Sequence, residues 1–200
     1  MDNHISLLDD VIEMALAAGA NAADAIIAHQ NGTQVQFRNQ TLEKTSGSQS
    51  QSLSVRVFCD QRIASFSSSN LSHASLAQLV SRSIQIAQEA PENPSARLVD
   101  SVDLFTDASL DLDLSDQTAL QAKDLSERAK ELEAALLSVS GVEHSSGASA
   151  STSESSVELR TSNGFAGASH RTSFGLSAGA VASNGQEKAT GGHGSSARFL

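Results

Sequence analysis

At 200 residues the chain can form one full domain or two small ones, and with 39% hydrophobic residues, no Trp, no Tyr and only 7 Phe its core must come from Leu, Ile, Val and Ala. The formal charge of −10 comes from 23 acidic against 13 basic residues, with the basic ones scattered, so direct nucleic-acid binding is not expected and stacking platforms for single strands are scarce. The start, Met1-Asp2-Asn3-His4, is polar and acidic, no window reaches the length of a membrane span, and Cys59 is the lone cysteine, so the expected compartment is the cytoplasm, away from membranes.

Ile5, Leu8, Ile12 and Ala15 recur at helical spacing, with Leu7, Val11 and Ala18 widening the stripe and Gly19 as the stop signal. Asp24 to His29, an Asn31-Gly32 turn and alternating Thr33 to Arg38 then predict a β-hairpin. After a polar stretch from Asn39 to Ser52, period-two Leu53, Val55 and Val57, a turn at Asp60-Gln61 and a strand with Ile63 and Phe66 predict a second hairpin. Ser69-Asn70 and Ser72 offer caps for a helix carrying Leu76, Val80, Ile84 and Ala87, ending before Pro91 and Pro94.

Ser95 to Ser115 is an acidic, irregular connector. A third helix is expected from about Gln117 to Ser138, with Leu125, Ala129, Leu132 and Leu136 on one face, Asp113 and Asp116 near its positive end, and a charged, solvated opposite face. Beyond Gly141 the Ser, Gly and Ala-rich sequence alternates around Asn163-Gly164 and Asn184-Gly185, which predicts an antiparallel meander; small residues suit closely approached strands. The segment from Gly191 to Leu200 carries no capping pattern and no polar tail, so the chain reads as stopping mid-domain, with strand edges that favour self-association.

Each candidate for chemistry has a plainer explanation. Cys59 lacks a nearby basic pair to stabilise a thiolate. Asp103, Asp107, Asp111, Asp113 and Asp116 form an acidic run, but no Gly sits at a loop centre and no Glu closes a calcium loop. Gly175-Leu176-Ser177-Ala178-Gly179 matches the nucleophile-elbow pattern, yet Ala180-Val181-Ala182 runs on toward a turn where the elbow needs a helix. The histidines at 4, 29, 73, 144, 170 and 193 show no zinc spacing; His144 beside Glu143 and His170 beside Arg171 fall in strands or turns. Gly191-Gly192-His193-Gly194 has no lysine after it to reach a phosphate. No catalytic, cofactor-binding or metal residue is therefore assigned. What remains is an α+β chain, antiparallel hairpins and a meander packed with about three helices, whose exposed strands could take an extended peptide by edge pairing.

An ordered set of landmarks resembles the TldD/PmbA peptidase family. It comprises the expected hairpin Ala25 to Arg38 with Leu42-Glu43 after it, Arg56-Val57-Phe58 before Arg62-Ile63-Ala64-Ser65, and Ser69-Asn70-Leu71-Ser72 before the helix ending Ile84-Gln85-Ile86-Ala87. Asp111-Leu112-Asp113-Leu114, Thr161-Ser162-Asn163-Gly164-Phe165 and Ser195-Ser196-Ala197-Arg198 follow, and the Asp-Leu-Asp-Leu connector looks more like the PmbA (TldE) type than TldD. The resemblance implies an amino-terminal α+β domain over residues 1–200, divided into 1–95, the acidic connector 96–116, and 117–200, ending before a carboxy-terminal β domain. It also implies a non-catalytic subunit of a cytoplasmic zinc metalloprotease that acts on unfolded or modified peptides, including peptide-antibiotic precursors and antitoxins, with a gyrase-modulating label attached to the family. Zinc would belong to a TldD-like partner. A different class, a free-standing peptide-binding or assembly module, fits the same residues.

Overall fold

A computed structural model describes residues 2–105 and 111–200, with side chains from Ser6 onward. Asp107 and the side chains of His4 and Ile5 lie outside the described residues. Three helices, α1 (Asp2–Ala17), α2 (His73–Glu89) and α3 (Ala122–Leu137), accompany strands β1 (Ala22–Arg38), β2 (Thr41–Cys59), β3 (Arg62–Ser68), β4 (Val142–Thr161), β5 (Ala166–Ser183) and β6 (Lys188–Ala197). The strands form one antiparallel sheet in the order β3-β2-β1-β4-β5-β6, so two meanders grow outward from the central β1–β4 pair. The chain divides into two compact units, and β1, β2, β4 and β5 each contribute residues to both.

The first unit comprises Met1–His29, Ser50–Leu112 and Ser156–Ser169. Its core is aliphatic and dense: Leu8, Val11 and Ala15 of α1, Ala25 and Ile27 of β1, Leu53, Val55 and Val57 of β2, and Leu76 and Ala87 of α2 are almost wholly buried. Full burial of a side chain such as Leu53 contributes roughly 1.5–3 kcal/mol. The helix stops are local. Gly19 takes φ +104°, a left-handed conformation open to glycine, and Ser72 caps α2 by accepting a hydrogen bond from the Ser75 amide. The β2–β3 hairpin turns at Asp60-Gln61 (φ 46° and 61°) and pairs Leu53 with Ser68 through Cys59 with Arg62. Phe66 stands opposite Val55 on the helix-covered face, whereas Ile63 stands opposite Phe58 on the other. There Asp24 is ion-paired to Arg56, whose guanidinium lies 5.2 Å from the Phe58 ring centroid.

The second unit comprises Gln30–Gln49, Asp113–Ser155 and His170–Leu200. Its cluster is smaller: Val35, Phe37 and Ala150 on the sheet meet Leu125 and Ala129 of α3, with Leu120 against them. Much of the surrounding sheet is Ser, Gly and Ala, which lets strands approach closely. A Cβ on Gly175 would stand 2.7 Å from Ser151 Oγ, and one on Gly179 2.3 Å from Ser146 Oγ. The Ser-rich segment 145–156 is strand, as its small residues predict.

Several expectations are corrected. Asn31-Gly32 is no turn: β1 runs straight through, because Gly32 sits where its neighbours crowd, a Cβ there meeting Ser48 Oγ at 3.2 Å. The turn falls at Asn39-Gln40, both at positive φ (52° and 58°), and the polar stretch from residue 41 is the first half of β2. Helix α3 begins at Ala122, not Gln117, because Asp116 engages the Thr118 amide and hydroxyl and holds the chain in a turn. Asp124, not Asp113 or Asp116, supplies the helix-start carboxylate, in a capping box with Gln121. The expected meander with its Asn184-Gly185 turn is present, the stretch after residue 187 forming β6, paired with β5 from Ser183–Lys188 to Phe174–Ala197.

Candidate functional site

The second unit carries the openings. Period-two geometry puts Leu176, Ala178, Ala180 and Ala182 of β5 on the face toward α3, and the β5–β6 register sets Ser195, His193, Gly191 and Ala189 beside them. Over the first half of α3 this face closes around Leu125 and Ala129. Over the second half and the turn after it, Leu132, Leu136 and Val139 line, together with mostly small residues of β5 and β6, an open apolar cleft of about 740 Å³. β6 is the last strand of the sheet, and all ten of its residues are exposed. Among the described residues no strand pairs with the outer edge of β6, which flanks the cleft.

The opposite face of the same strands is polar. Gln34 Nε2 donates to Ser149 Oγ (3.3 Å), and Ser149 Oγ shares a hydrogen bond with Ser177 Oγ (2.8 Å), a ladder from β1 through β4 to β5. Ser177 thus lies mid-strand opposite Gly194, with no sharp strand-to-helix turn to present its hydroxyl.

One buried carboxylate eluded the sequence. Glu133 lies on the α3 face toward the sheet, 0% exposed, although the other charged residues of the helix face solvent as expected. It accepts from the Asn39 amide (2.9 Å, Oε1) and the Gln40 amide (2.6 Å, Oε2), so it staples the β1–β2 turn to the helix. Two signals could have found it: its place four residues after Ala129 on the apolar stripe, and the two amide donors of a turn at Asn39-Gln40.

The remaining candidates are dispersed. Cys59 is 6% exposed at the end of β2; burial, then the charge of Asp60, push its thiol pKa up, away from nucleophile chemistry. Asp103 ends a short 3₁₀ turn, and Asp111 and Asp113 lie in the connector. Asp116 accepts from Thr118 and, through Oδ2, from the Leu200 amide. His29 is half-buried in β1, His73 opens α2, and His144 and His193 are exposed on strands. His170 pairs with Glu154 at 2.6 Å, and Glu143 pairs with Lys188, not His144. Among the described residues no group of three or more His, Cys, Asp or Glu could hold a metal, and no helix is long and apolar enough to cross a membrane.

Residues 23–87 match the family model of the PmbA/TldA metallopeptidase domain 1, and residues 113–199 match that of the PmbA/TldA metallopeptidase central domain. The chain belongs to the PmbA/TldD family. The PmbA/TldD fold is seen again in a modulator-of-DNA-gyrase protein from Bacteroides thetaiotaomicron, 22% identical, with a TM-score of 0.91 over 100% of this chain. A second such protein, from Thermotoga maritima, is 13% identical with a TM-score of 0.74 over 98% of this chain. TldE from Thermococcus kodakarensis is 9% identical with a TM-score of 0.67 over 96%. At these identities the likeness is one of fold, and the chain spans 46%, 44% and 43% of those three structures' chains. No curated protein matches the sequence.

Proposed function

We propose that this chain is the peptide-holding, non-catalytic part of a PmbA/TldD-type metallopeptidase, working with a TldD-like partner that bears the zinc. The observation that carries the reading is the apolar cleft beside the exposed edge of β6, in a chain with the family's first and central domains. An extended peptide can add to such an edge through backbone hydrogen bonds and set alternate side chains against the cleft. That mode needs no catalytic side chain and suits substrates recognised by being unfolded, including modified peptides such as antibiotic precursors, and antitoxins. The described side chains do not fit a zinc site, so no hydrolytic step is assigned to them.

The test is a pull-down of the full-length product from its native cytoplasm with zinc quantified in the isolated complex. A stoichiometric, zinc-bearing TldD-like partner is the expected result. A metal-free protein without a partner would sink the reading in favour of an independent peptide-binding or assembly module.

A further inference from the structure

A second opening, in the same unit, differs in chemistry. A cavity of about 310 Å³ is bounded by Asn31 to Thr33 of β1, the connector from Asp116 to Leu120, Thr152 to Glu154 of β4, and His170 and Thr172 of β5. It presents two carboxylates, several hydroxyls and amide groups, and neither Lys nor Arg. Its one group able to carry positive charge, His170, is hydrogen-bonded to Glu154 Oε1. Asp116 is anchored from three sides, its carboxyl held below the usual range first by the Thr118 hydroxyl, then by the Leu200 and Thr118 amides. An anion would meet two like charges there. Among the described residues no group of three or more His, Cys, Asp or Glu could hold a metal ion, the Asp116, Glu154 and His170 of this cavity included.

We propose that this cavity binds a primary ammonium group, carried either by the amino terminus of a peptide or by a lysine side chain. An ammonium has three donors and no acceptor, which matches a wall of carboxylate, hydroxyl and carbonyl oxygens. Glu154 would supply the charge-assisted bond through Oε2, while the hydroxyls of Thr152, on the same face of β4, and of Thr33 accept the remaining hydrogens. The site stands on a different cavity from the β6 cleft and does not depend on the peptidase reading.

Titration of the full chain with trialanine amide, N-acetyl-trialanine amide and N-acetyl-lysine amide, followed by calorimetry and by amide NMR shifts at Gly32 and Thr152, tests it. At least one of the two amines should bind, shifting those signals, and the one that does identifies the source. N-acetyl-trialanine amide should not bind. Glu154→Gln should weaken binding about tenfold, the scale of one hydrogen bond to a charged group, while Glu131→Gln on the exposed side of α3 leaves it unchanged. His170→Ala, which releases Glu154, should tighten binding; general damage to the site would weaken it instead. Equal binding of N-acetyl-trialanine amide, no response to either amine, or affinity untouched by Glu154→Gln would overturn the proposal.

Discussion

The two compact units use the same sheet with different materials. In the first, Leu, Ile and Val of two helices and three strands close a continuous aliphatic core. In the second, one helix lies over strands rich in Ala, Gly and Ser, and its buried cluster holds only Val35, Phe37, Leu125, Ala129 and Ala150. Large side chains fill space and stabilise; small ones let strands approach but leave gaps beneath the helix. The cleft and the polar cavity both lie in the unit built from small residues, as this packing argument requires.

The sharpest way to break this contrast is to truncate leucines on either side of it. Leu76→Ala, in the first unit and 0% exposed, should cost about 2–5 kcal/mol in denaturant unfolding. Leu136→Ala, half-buried at the lip of the cleft, should cost less than about 1 kcal/mol, since little packing is lost. Equal losses would show that the second unit is packed as tightly as the first.

Glu133→Ala comes next, and it separates polar from apolar cohesion in the second unit. It leaves the Asn39 and Gln40 amides without their buried acceptor, and the expected loss is about 1–3 kcal/mol, read from thermal melts. A neutral result would mean that the Val35–Leu125 cluster alone holds the β1–β2 turn against α3.

Filling the cleft is a finer probe. Ala180→Leu should change stability by no more than about 0.5 kcal/mol, because space is available, while weakening capture of an extended peptide in a pull-down. A large destabilisation would show that the floor is already in contact with α3.

The smallest effect is a pH dependence at Asp116. Its folded-state carboxyl titrates below the ordinary value of 3.8, so its stabilisation is present above that pH and is lost as pH falls through the lower folded value. Asp116→Asn should flatten that acid limb slightly in a urea series between neutral and acid pH. An unchanged limb would show that the Thr118 and Leu200 contacts do not persist in solution.

Much of the fold was legible because large residues keep regular periods. The α1 stripe of Leu8, Ile12 and Ala15, the β2–β3 hairpin and the Ser72-capped α2 follow from spacing and turn chemistry, and the ordered landmarks pointed to the family. What misled was local punctuation. Asn31-Gly32 looks like a hairpin turn, yet that glycine serves close packing against Ser48, and the chain reverses at Asn39-Gln40, whose unfavourable φ values are offset by Glu133. Helical spacing puts Glu133 four residues after Ala129, on the buried stripe, and Glu131 on the opposite side, but it does not show which donors a buried carboxylate there would meet.

By itself, then, the sequence determined the element types where apolar periodicity was strong, the continuation of a strand through Ser177, and the family. Only the tertiary structure decided that β1 is one long strand, that Glu133 meets the Asn39 and Gln40 amides, and that Glu154 and His170 meet across two strands at one cavity with Asp116. The physical reason is range. Periodicity and capping act over a few residues and are written locally, whereas a cavity depends on which small side chains end up facing one another across the sheet.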